Sequence, residues 1–231
     1  MNTSPSPFTA DLYRFLTELE INNNRQWFNA NKDRYINDVR DPMSRFIMAM
    51  QEPLKGITAH VVADPRPVGG SMFRIYRDTR FSKDKTPYKT HAAIHFRHKV
   101  GKDVHGPGLY FHMGPKDNGL GGGIWHPDSA ALRKIRDRIA GHSGEWGRIT
   151  QDQAFVEAFG GIGGDQLKRM PRDFDAEHPF ADDLRRKDFF VMSGLTRKQI
   201  TNRGLIDETE RIYRIMTPFM AFLAKAVGLG W

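Results

Sequence analysis

The spacing of apolar residues changes twice along this chain, from helical to alternating and back to helical. Between Phe8 and Leu19, apolar residues recur every three or four positions, which is typical of an amphipathic helix. Between residues 71 and 125 they alternate with polar residues and glycines, a pattern typical of half-buried strands. Helical spacing returns after Asp128. Helices followed by a block of strands and then by more helices predict an α+β fold.

Caps and prolines bound the predicted helices. Asn22–Asn24 interrupt the first helical pattern, and asparagine caps a helix well because its side chain accepts a free N–H of the first turn. A second helix follows as far as Met50. We expect a kink or a restart at Asp41-Pro42, since proline suits a first turn but not a helix interior. Further helices are predicted over residues 128–140, 152–159 and 180–187, and from Asp207 to the C-terminus with a break near Pro218.

Four strands are predicted, over residues 71–78, 90–99, 108–114 and 120–125. The connections between them are short, so neighbouring strands are expected to run antiparallel. Residues 8–231 are predicted to form a single α+β domain, with a central and mainly antiparallel sheet flanked by N- and C-terminal helices. Residues 1–7, with the sequence MNTSPSP, are predicted to be a flexible tail.

The chain contains no cysteine, which excludes disulfides and thiolate metal sites and favours a reducing compartment. Its first residues lack the basic and apolar regions of a secretory signal. No window offers about 18 uncharged apolar residues, the length that a membrane-spanning helix needs. A cytoplasmic protein with no membrane partner is therefore expected.

Positive charge is concentrated in one short part of the chain. Residues 74–99 hold eight Lys or Arg and two Asp, a balance of 8 − 2 = +6, whereas the whole chain carries +8. All the other residues therefore sum to 8 − 6 = +2. A local excess of cations favours association with anions, so an anionic small molecule is the expected partner.

The predicted strands have one apolar face and one face rich in arginine, tyrosine and histidine, because alternate residues of a strand point to opposite sides. In the strand over residues 108–114, for example, Phe111 faces one way while Tyr110 and His112 face the other. An ordinary solvated face would be polar too, but it would be richer in Lys, Glu and Thr. A ligand-binding face is therefore predicted from Arg74, Tyr76, His91, His95, Arg97, Tyr110 and His112.

Residues 74–88, RIYRDTRFSKDKTPY, resemble the signature RxxRDxRFxxDKxxY of the family called domain of unknown function 2461. Other segments are similar to the same family, and the resemblance covers nearly the whole chain. They are residues 23–25 with Trp27-Phe28, the glycine run 119–123, Pro171, Phe174-Asp175 and His178-Pro179. The resemblance implies one α/β-type domain in which these residues matter together. It implies no activity, because none is assigned to the family.

An anion site is predicted at this basic segment, because a guanidinium group binds phosphate or carboxylate through two parallel hydrogen bonds. The residues expected to hold the anion are Arg74, Arg77, Arg80 and Lys85. Asp78 is expected to orient the arginines, and Asp84 belongs to the same ligand-binding group. If a reaction takes place, the candidates for proton transfer are Tyr88, His95 and His112. The sequence assigns no cofactor and leaves open whether anything is turned over.

Two alternatives stay open for the same residues. In one, Asp78 and Asp84 satisfy the neighbouring cations, and the segment is a structural charge network. In the other, the basic surface binds nucleic acid and provides aromatic platforms for stacking bases. The aromatic residues interleaved with the cations are Phe73, Tyr76, Phe81, Tyr88 and Phe96. No sequence signature of a known nucleic-acid-binding module supports the second alternative.

Other chemistries lack their required patterns. The run Asn118–Gly123 does not open directly into a helix and no Lys-Ser/Thr follows it, so a tight turn or bulge is predicted there and not a nucleotide-binding loop. No metal site is assigned, because His91 and His95 on one strand would be about 13 Å apart and could not both bind one ion, although a site from His112 and one strand neighbour stays open. The chain has no thiol nucleophile and no GxSxG motif.

The C-terminal helix is apolar over a wide arc that includes Ile212, Met216, Phe219 and Leu223. A helix of this kind is usually buried in the core of its own chain. The alternative is that the arc forms the interface of a homodimer.

Overall fold

The computed structural model describes residues 5–100 and 106–231. Within these residues, five antiparallel strands pair in sequence order into one sheet. Their bounds are Val61–Val62 (β1), Ala92–His98 (β2), Gly108–Met113 (β3), Asn118–Ile124 (β4) and Phe189–Gly194 (β5). The predicted α+β fold with an antiparallel sheet is therefore confirmed.

Helices precede the sheet, fill the long connection between β4 and β5, and end the chain. The first group comprises Ala10–Ile21 (α1), Arg25–Ala30 (α2), Lys32–Arg34 (α3), a π-helix at Tyr35–Arg40, Asp41–Ala49 (α4) and Gln51–Lys55 (α5). The second comprises Ser129–Gly141 (α6), Ser143–Thr150 (α7), Gln153–Phe159 (α8) and Ala181–Leu184 (α9). The last comprises Arg197–Ile200 (α10) and Leu205–Ala226 (α11). No helix within the described residues is both long enough and apolar enough to cross a membrane.

Side-chain caps fix several helix starts where the sequence predicts them. Asn24 accepts a hydrogen bond from the backbone N–H of Trp27 at the start of α2 (2.9 Å). Asp128 and Asp152 cap α6 and α8 in the same way. The restart predicted at Asp41-Pro42 is the point where the π-helix changes into α4, with Pro42 in the first turn. The backbone stays helical through this junction, and Pro42, which has no N–H to donate, lies where the hydrogen-bond pattern of the π-helix changes to that of the α-helix.

The predicted break near Pro218 is wrong, since α11 runs unbroken from Leu205 to Ala226. Pro218 lies on the exposed side of the helix, where the carbonyl that it leaves without a donor can bond to water. The opposite side packs on the sheet and on α6, α7 and α8, and this packing holds the helix together. Burial of Ile212, Met216, Phe219 and Leu223 confirms the interpretation of α11 as a core helix.

The strand predicted over residues 71–78 is also wrong. Residues 71–73 follow the edge of β2 next to β1, through bonds such as His95 N–H to the Ser71 carbonyl (2.8 Å), but only an isolated bridge forms there. The chain then leaves the sheet and pairs with itself, because Arg77 N–H donates to the Pro87 carbonyl (2.9 Å). We call residues 74–89 the basic loop. Local pairing within this loop replaces pairing with the sheet.

The predicted flexible tail, residues 1–7, falls partly within the described part of the chain, from residue 5 onwards. Residues 1–4 lie outside the described part of the chain. Ser6, in the remainder, donates a hydrogen bond to the Ile200 carbonyl (2.6 Å) and accepts one from Phe8 N–H (3.1 Å). These bonds tie the chain just before α1 to the end of α10.

Candidate functional site

One face of the sheet is buried against helices, and the other is not. On the buried face Ile94 pairs with Phe111, which pairs with Leu120, and all three side chains are inaccessible to solvent. On the opposite face His95 pairs with Tyr110 and Tyr110 with Gly121. The alternation read from the sequence therefore predicts the two faces of β2 and β3 correctly. We call the second one the outer face.

Glycines make the floor of the outer face. The run predicted as a turn or bulge lies wholly within β4, and its residues on the outer face are Gly119, Gly121 and Gly123. A Cβ on Gly121 would overlap the Sδ of Met192, and one on Gly123 would overlap the Phe189 carbonyl. Since β4 has no side chains here, the side chains of β5 lie flat over it. The strand predicted over residues 120–125 corresponds to β4, whereas the turn or bulge predicted within the glycine run is wrong, because glycine is depleted in strands and usually marks turns.

A cavity of about 460 Å³ lies on the outer face, and the glycines in its lining are Gly108, Gly122 and Gly123. Small-molecule sites commonly have volumes of roughly 300–1,000 Å³, so the cavity is large enough for a ligand. Its polar lining residues are Lys89, His91, His95 and the hydroxyl-bearing Tyr110. Its apolar walls come from Phe73, Ala93, Trp125, Phe190, Val191 and Met192. The lining is thus mostly apolar and aromatic, with a few nitrogen and oxygen groups.

His95 is buried against this cavity. Its ring lies parallel to that of Phe73, with centroids 6.0 Å apart. Burial lowers its pKa to about 4, with a smaller contribution from the charge of Arg97, so the imidazole is neutral at pH 7. No donor or acceptor among the described residues lies within hydrogen-bond distance of Nδ1. Most buried polar groups have a partner, so the unpartnered ring nitrogen of a residue that lines the cavity is a candidate contact for a bound molecule.

Lys89 is the cation of the cavity. Its Nζ lies 5.1 Å from the centroid of the Phe73 ring. Burial and the positive charge of Arg74 lower its pKa, and no carboxylate contributes to the shift. A partly buried ammonium without a carboxylate beside it is a favourable place for an anionic group.

A chain of hydrogen bonds runs from the cavity wall to the turn between β3 and β4. The Tyr110 hydroxyl is 3.2 Å from His112 Nδ1, and His112 Nε2 is 3.1 Å from Asp117 Oδ1. The ring of His91 lies against that of His112, with centroids 4.7 Å apart. Burial, followed by the charges of His112 and Lys89, lowers the pKa of His91 to about 4. Burial raises the pKa of Tyr110 to about 12.

Apart from Lys89 at its end, the basic loop lies outside the cavity, although all of the predicted anion ligands belong to it. Arg77 pairs with Asp84 and with the Thr86 hydroxyl. Hydrogen bonds from Arg77 lower the pKa of the Asp84 carboxyl to about 2. None of the loop residues Arg74, Arg77, Asp78, Arg80, Asp84 and Lys85 lines the cavity.

Arg80 and Asp78 form a second exposed pair, with Nη2 2.7 Å from Oδ2. Hydrogen bonds from Arg80 lower the pKa of Asp78 to about 2. Lys85 donates to the Thr79 carbonyl (2.9 Å). Each predicted cation of this part of the loop therefore has an oxygen partner within the loop.

Tyr88, a predicted proton-transfer candidate, belongs to the core. Its ring stacks on Phe28, with centroids 4.1 Å apart, and the residue is only 3% exposed. Its backbone is held at both polar groups by the Asn23 side chain, which donates to the carbonyl (2.9 Å) and accepts from the N–H (3.0 Å). Of the three proton-transfer candidates, only His95 lines the cavity, and His112 reaches it through Tyr110.

Sequence reasoning misses several residues of the site. Phe190 and Met192 come from β5, which was not predicted, and Asp117 sits in a turn with no motif. The alternation in FFVMSG, where Phe190 and Met192 share one face, is the signal that could have identified them. Among the described residues, no group of three His, Asp or Glu side chains is arranged to hold a metal ion.

The fold and site define an α+β protein whose antiparallel sheet carries a ligand-sized cavity on its outer face. The chain belongs to the conserved hypothetical protein family DUF2461, whose family model matches residues 11–222. This match confirms the resemblance read from the basic loop. No curated protein and no solved structure matches the chain.

Proposed function

We propose that this protein binds a small molecule with a flat apolar body and one phosphate or carboxylate group in the cavity on the outer face. One observation carries the proposal: a ligand-sized cavity is lined by His95, whose buried Nδ1 has no partner among the described residues. The aromatic walls suit a planar ligand, because ring pairs add about 0.5–1.5 kcal/mol beyond the area that they bury.

The anionic group is assigned to Lys89. Burial and the charge of Arg74 lower the pKa of this lysine, so both disfavour its charged form. An anion beside the ammonium group would favour the charged form again. The predicted site thereby moves from the tip of the basic loop to the end of the loop nearest the sheet. The loop's remaining net charge attracts anions from a distance but does not contact the ligand.

His95 is assigned the recognition of a polar group on the ligand. A neutral imidazole has one donor and one acceptor nitrogen, so Nδ1 can pair with a hydroxyl, an amide or a carbonyl. Such a pair removes the cost of about 1–3 kcal/mol that an unsatisfied buried group carries. This contact gives orientation, while Lys89 gives charge selectivity.

A thermal melt with phenyl phosphate, benzoate and neutral benzyl alcohol at two salt concentrations tests the proposal. A ligand at a hundred times its Kd adds about 2.7 kcal/mol, or roughly 5–10 °C for a chain of this size. We expect a shift with an anionic compound that persists at high salt and is lost in Lys89→Gln. Lys83→Gln, which removes the same charge from an exposed position of the basic loop, should keep the shift. No shift with any compound would contradict the proposal.

Arg77→Ala separates this proposal from the site read from the sequence. If the loop arginines hold the anion, this variant abolishes the shift. If Lys89 holds it, the shift stays and only the stability of the unliganded protein changes. The alternative of a structural charge network accounts for the ion pairs Arg77–Asp84 and Arg80–Asp78, but it leaves Lys89 and His95 unexplained.

Nucleic-acid binding by the basic loop is a second candidate, favoured by Phe81. This ring is 95% exposed, and the guanidinium of Arg80 lies 5.8 Å from its centroid. An exposed aromatic ring among cations can stack on a base. A fluorescently labelled single-stranded oligonucleotide should then lose affinity steeply with salt, and Phe81→Ala should weaken binding by about 1–3 kcal/mol. An affinity unchanged by salt would rule this candidate out.

A further inference from the structure

We propose that Asp117, His112 and Tyr110 form a proton relay that makes the Tyr110 hydroxyl a nucleophile for acyl groups at the cavity wall. The inference rests on the proposed function in one respect, namely that the cavity admits a small molecule. It adds a reaction class, acyl transfer, to a site so far described only as binding.

The hydrogen bonds fix the direction of the relay. The Asp117 carboxylate can only accept, so when the His112 ring carries a single proton, that proton is held on Nε2. Nδ1 is then the acceptor, and the Tyr110 hydroxyl donates to it. The hydroxyl proton therefore points to the histidine, and the free lone pairs of the oxygen remain for a ligand.

The positions of the three residues follow from the β3–β4 hairpin. Tyr110 and His112 are two residues apart on β3, so both side chains stand on the outer face. The next turn brings Asp117 back to them, and it is closed by the hydrogen bond from Gly114 N–H to the Asp117 carbonyl (2.9 Å). Because the relay lies within one hairpin, its geometry does not depend on distant packing.

The titratable groups around Tyr110 indicate which of them acts as its base. Tyr110 needs a base, since burial raises its pKa to about 12 and only about one molecule in 10,000 would be ionised at pH 8. His91, against the other side of His112, has a pKa lowered to about 4 and adds no charge at neutral pH. The remaining charges near these rings are Lys89 and Asp117. His112 is thus the base within reach of the hydroxyl.

The reaction step balances without a further reagent. Tyr110 Oη forms a bond to the acyl carbon while the bond from that carbon to the leaving group breaks. The hydroxyl proton passes to His112 Nδ1. The imidazolium that forms keeps its Nε2 proton and donates a hydrogen bond through it to the Asp117 carboxylate. The leaving group departs with the electron pair of its bond and takes the proton from His112.

Limited acetylation with N-acetylimidazole at pH 7.5, followed by peptide mass spectrometry, tests the relay. Tyr76, which is 55% exposed, is the internal reference. We expect acetylation of Tyr110 at least about tenfold faster than that of Tyr76, because base assistance outweighs partial burial. In His112→Gln, which keeps a hydrogen-bond acceptor but no base, the rate at Tyr110 should fall about tenfold or more while that at Tyr76 stays. His142→Gln, at an exposed position between α6 and α7, is the matched control and should change neither rate.

Asp117→Asn is a second test of the relay. The Asp117 side chain is 79% exposed, so we expect this variant to fold even if His112→Gln does not. We expect a several-fold loss of acetylation at Tyr110 with an unchanged melting temperature. Nitrogen-15 spectra of the wild-type protein should show His112 protonated on Nε2 and not on Nδ1. A rate at Tyr110 no higher than at Tyr76, or one that neither variant lowers, would overturn the relay.

The relay and the proposed function can fail separately. N-acetylimidazole is small and neutral, so it reports on Tyr110 whether or not an anion binds at Lys89. Fast acetylation without any ligand-induced melt shift would overturn the proposed function alone. A melt shift with slow acetylation would overturn the relay alone.

Discussion

The imidazole of His95 lies parallel to the phenyl ring of Phe73, with an interplanar angle of 3° and centroids 6.0 Å apart. This pair joins β2 to the segment that leads into the basic loop, and it forms one wall of the cavity. Under the imidazole lies Gly108 of β3, where a Cβ would overlap His95 Nε2. The wall therefore depends on a glycine at a position where most strands have a side chain.

Replacing Gly108 by alanine should displace the His95 ring and lower stability. Overpacking of a buried position typically costs about 1–3 kcal/mol, which a urea titration would detect. Gly144→Ala is the matched control, because a Cβ there has no neighbour within 4 Å and the residue lies in α7. The control should raise stability by about 0.5–1 kcal/mol. Equal effects of the two substitutions would contradict the assigned packing.

Stability should fall as the pH is lowered from about 6.5 to about 4, and His95 should account for much of the change. The folded-state pKa of about 4 lies below the ordinary value of 6.5, so the unfolded chain binds a proton first on acidification. The stabilisation is complete above pH 6.5 and lost on passing through pH 4. By linkage the loss is about 3 kcal/mol for this residue.

Urea titrations at pH 7, 5 and 4 would measure this dependence. His95→Gln should flatten it, whereas the control His142→Gln should leave it unchanged. His91, whose pKa is also lowered to about 4, contributes to the same interval and makes the dependence steeper than one residue would. A slope that survives His95→Gln unchanged would show that His95 is not protonated on unfolding.

The faces of β2 and β3 could be predicted from the sequence, but the pairing of β4 with β5 could not. Alternation along β2 and β3 is local, so it was sufficient to predict that His95, Tyr110 and His112 share a face. Pairing of β4 with β5 joins residues about 70 positions apart, and no local pattern reports it. A strand was predicted over residues 120–125, but a turn or bulge was predicted in the same glycine run, because the role of these glycines in leaving room for Met192 depends on that pairing.

In the basic loop, the sequence shows where the charges are but not which of them are paired. Counting charges singled out this segment, and its sequence carried the resemblance to the family whose model matches residues 11–222. A count of charges does not say which ones are paired. Arg77 pairs with Asp84, seven residues later, and Arg80 pairs with Asp78, two residues earlier. Exposed pairs of this kind contribute only about 0–1 kcal/mol each, so they neither stabilise the fold greatly nor create an empty anion site.

Asn23→Ala should destabilise the protein more than Asn24→Ala. The Asn23 side chain satisfies both polar backbone groups of Tyr88, so its loss leaves a buried N–H and a buried carbonyl unpaired, at a cost of about 1–3 kcal/mol each. Loss of the Asn24 cap on α2 should cost about 1 kcal/mol. Hydrogen exchange should also become faster at Arg77 and Lys89 in the first variant only, because Tyr88 anchors the basic loop. Equal stability of the two variants would refute the anchoring role.

Asp188→Ala should be among the most destabilising single substitutions near the site. The side chain is only 4% exposed and accepts a hydrogen bond from His126 N–H (2.7 Å), with His126 Nδ1 also 3.2 Å away. His126 has a φ of 49°, a conformation unfavourable for a residue with a side chain, and these contacts hold it there at the end of β4. Removing the carboxylate takes away the acceptor that holds the strained turn and leaves a gap in its buried place, so we expect a loss of about 2–4 kcal/mol. Asp182→Ala, whose carboxylate is 75% exposed and pairs with Arg185, is the control and should cost less than about 1 kcal/mol. A melting temperature for Asp188→Ala within a degree of that of the control would mean that the turn holds its conformation without the carboxylate.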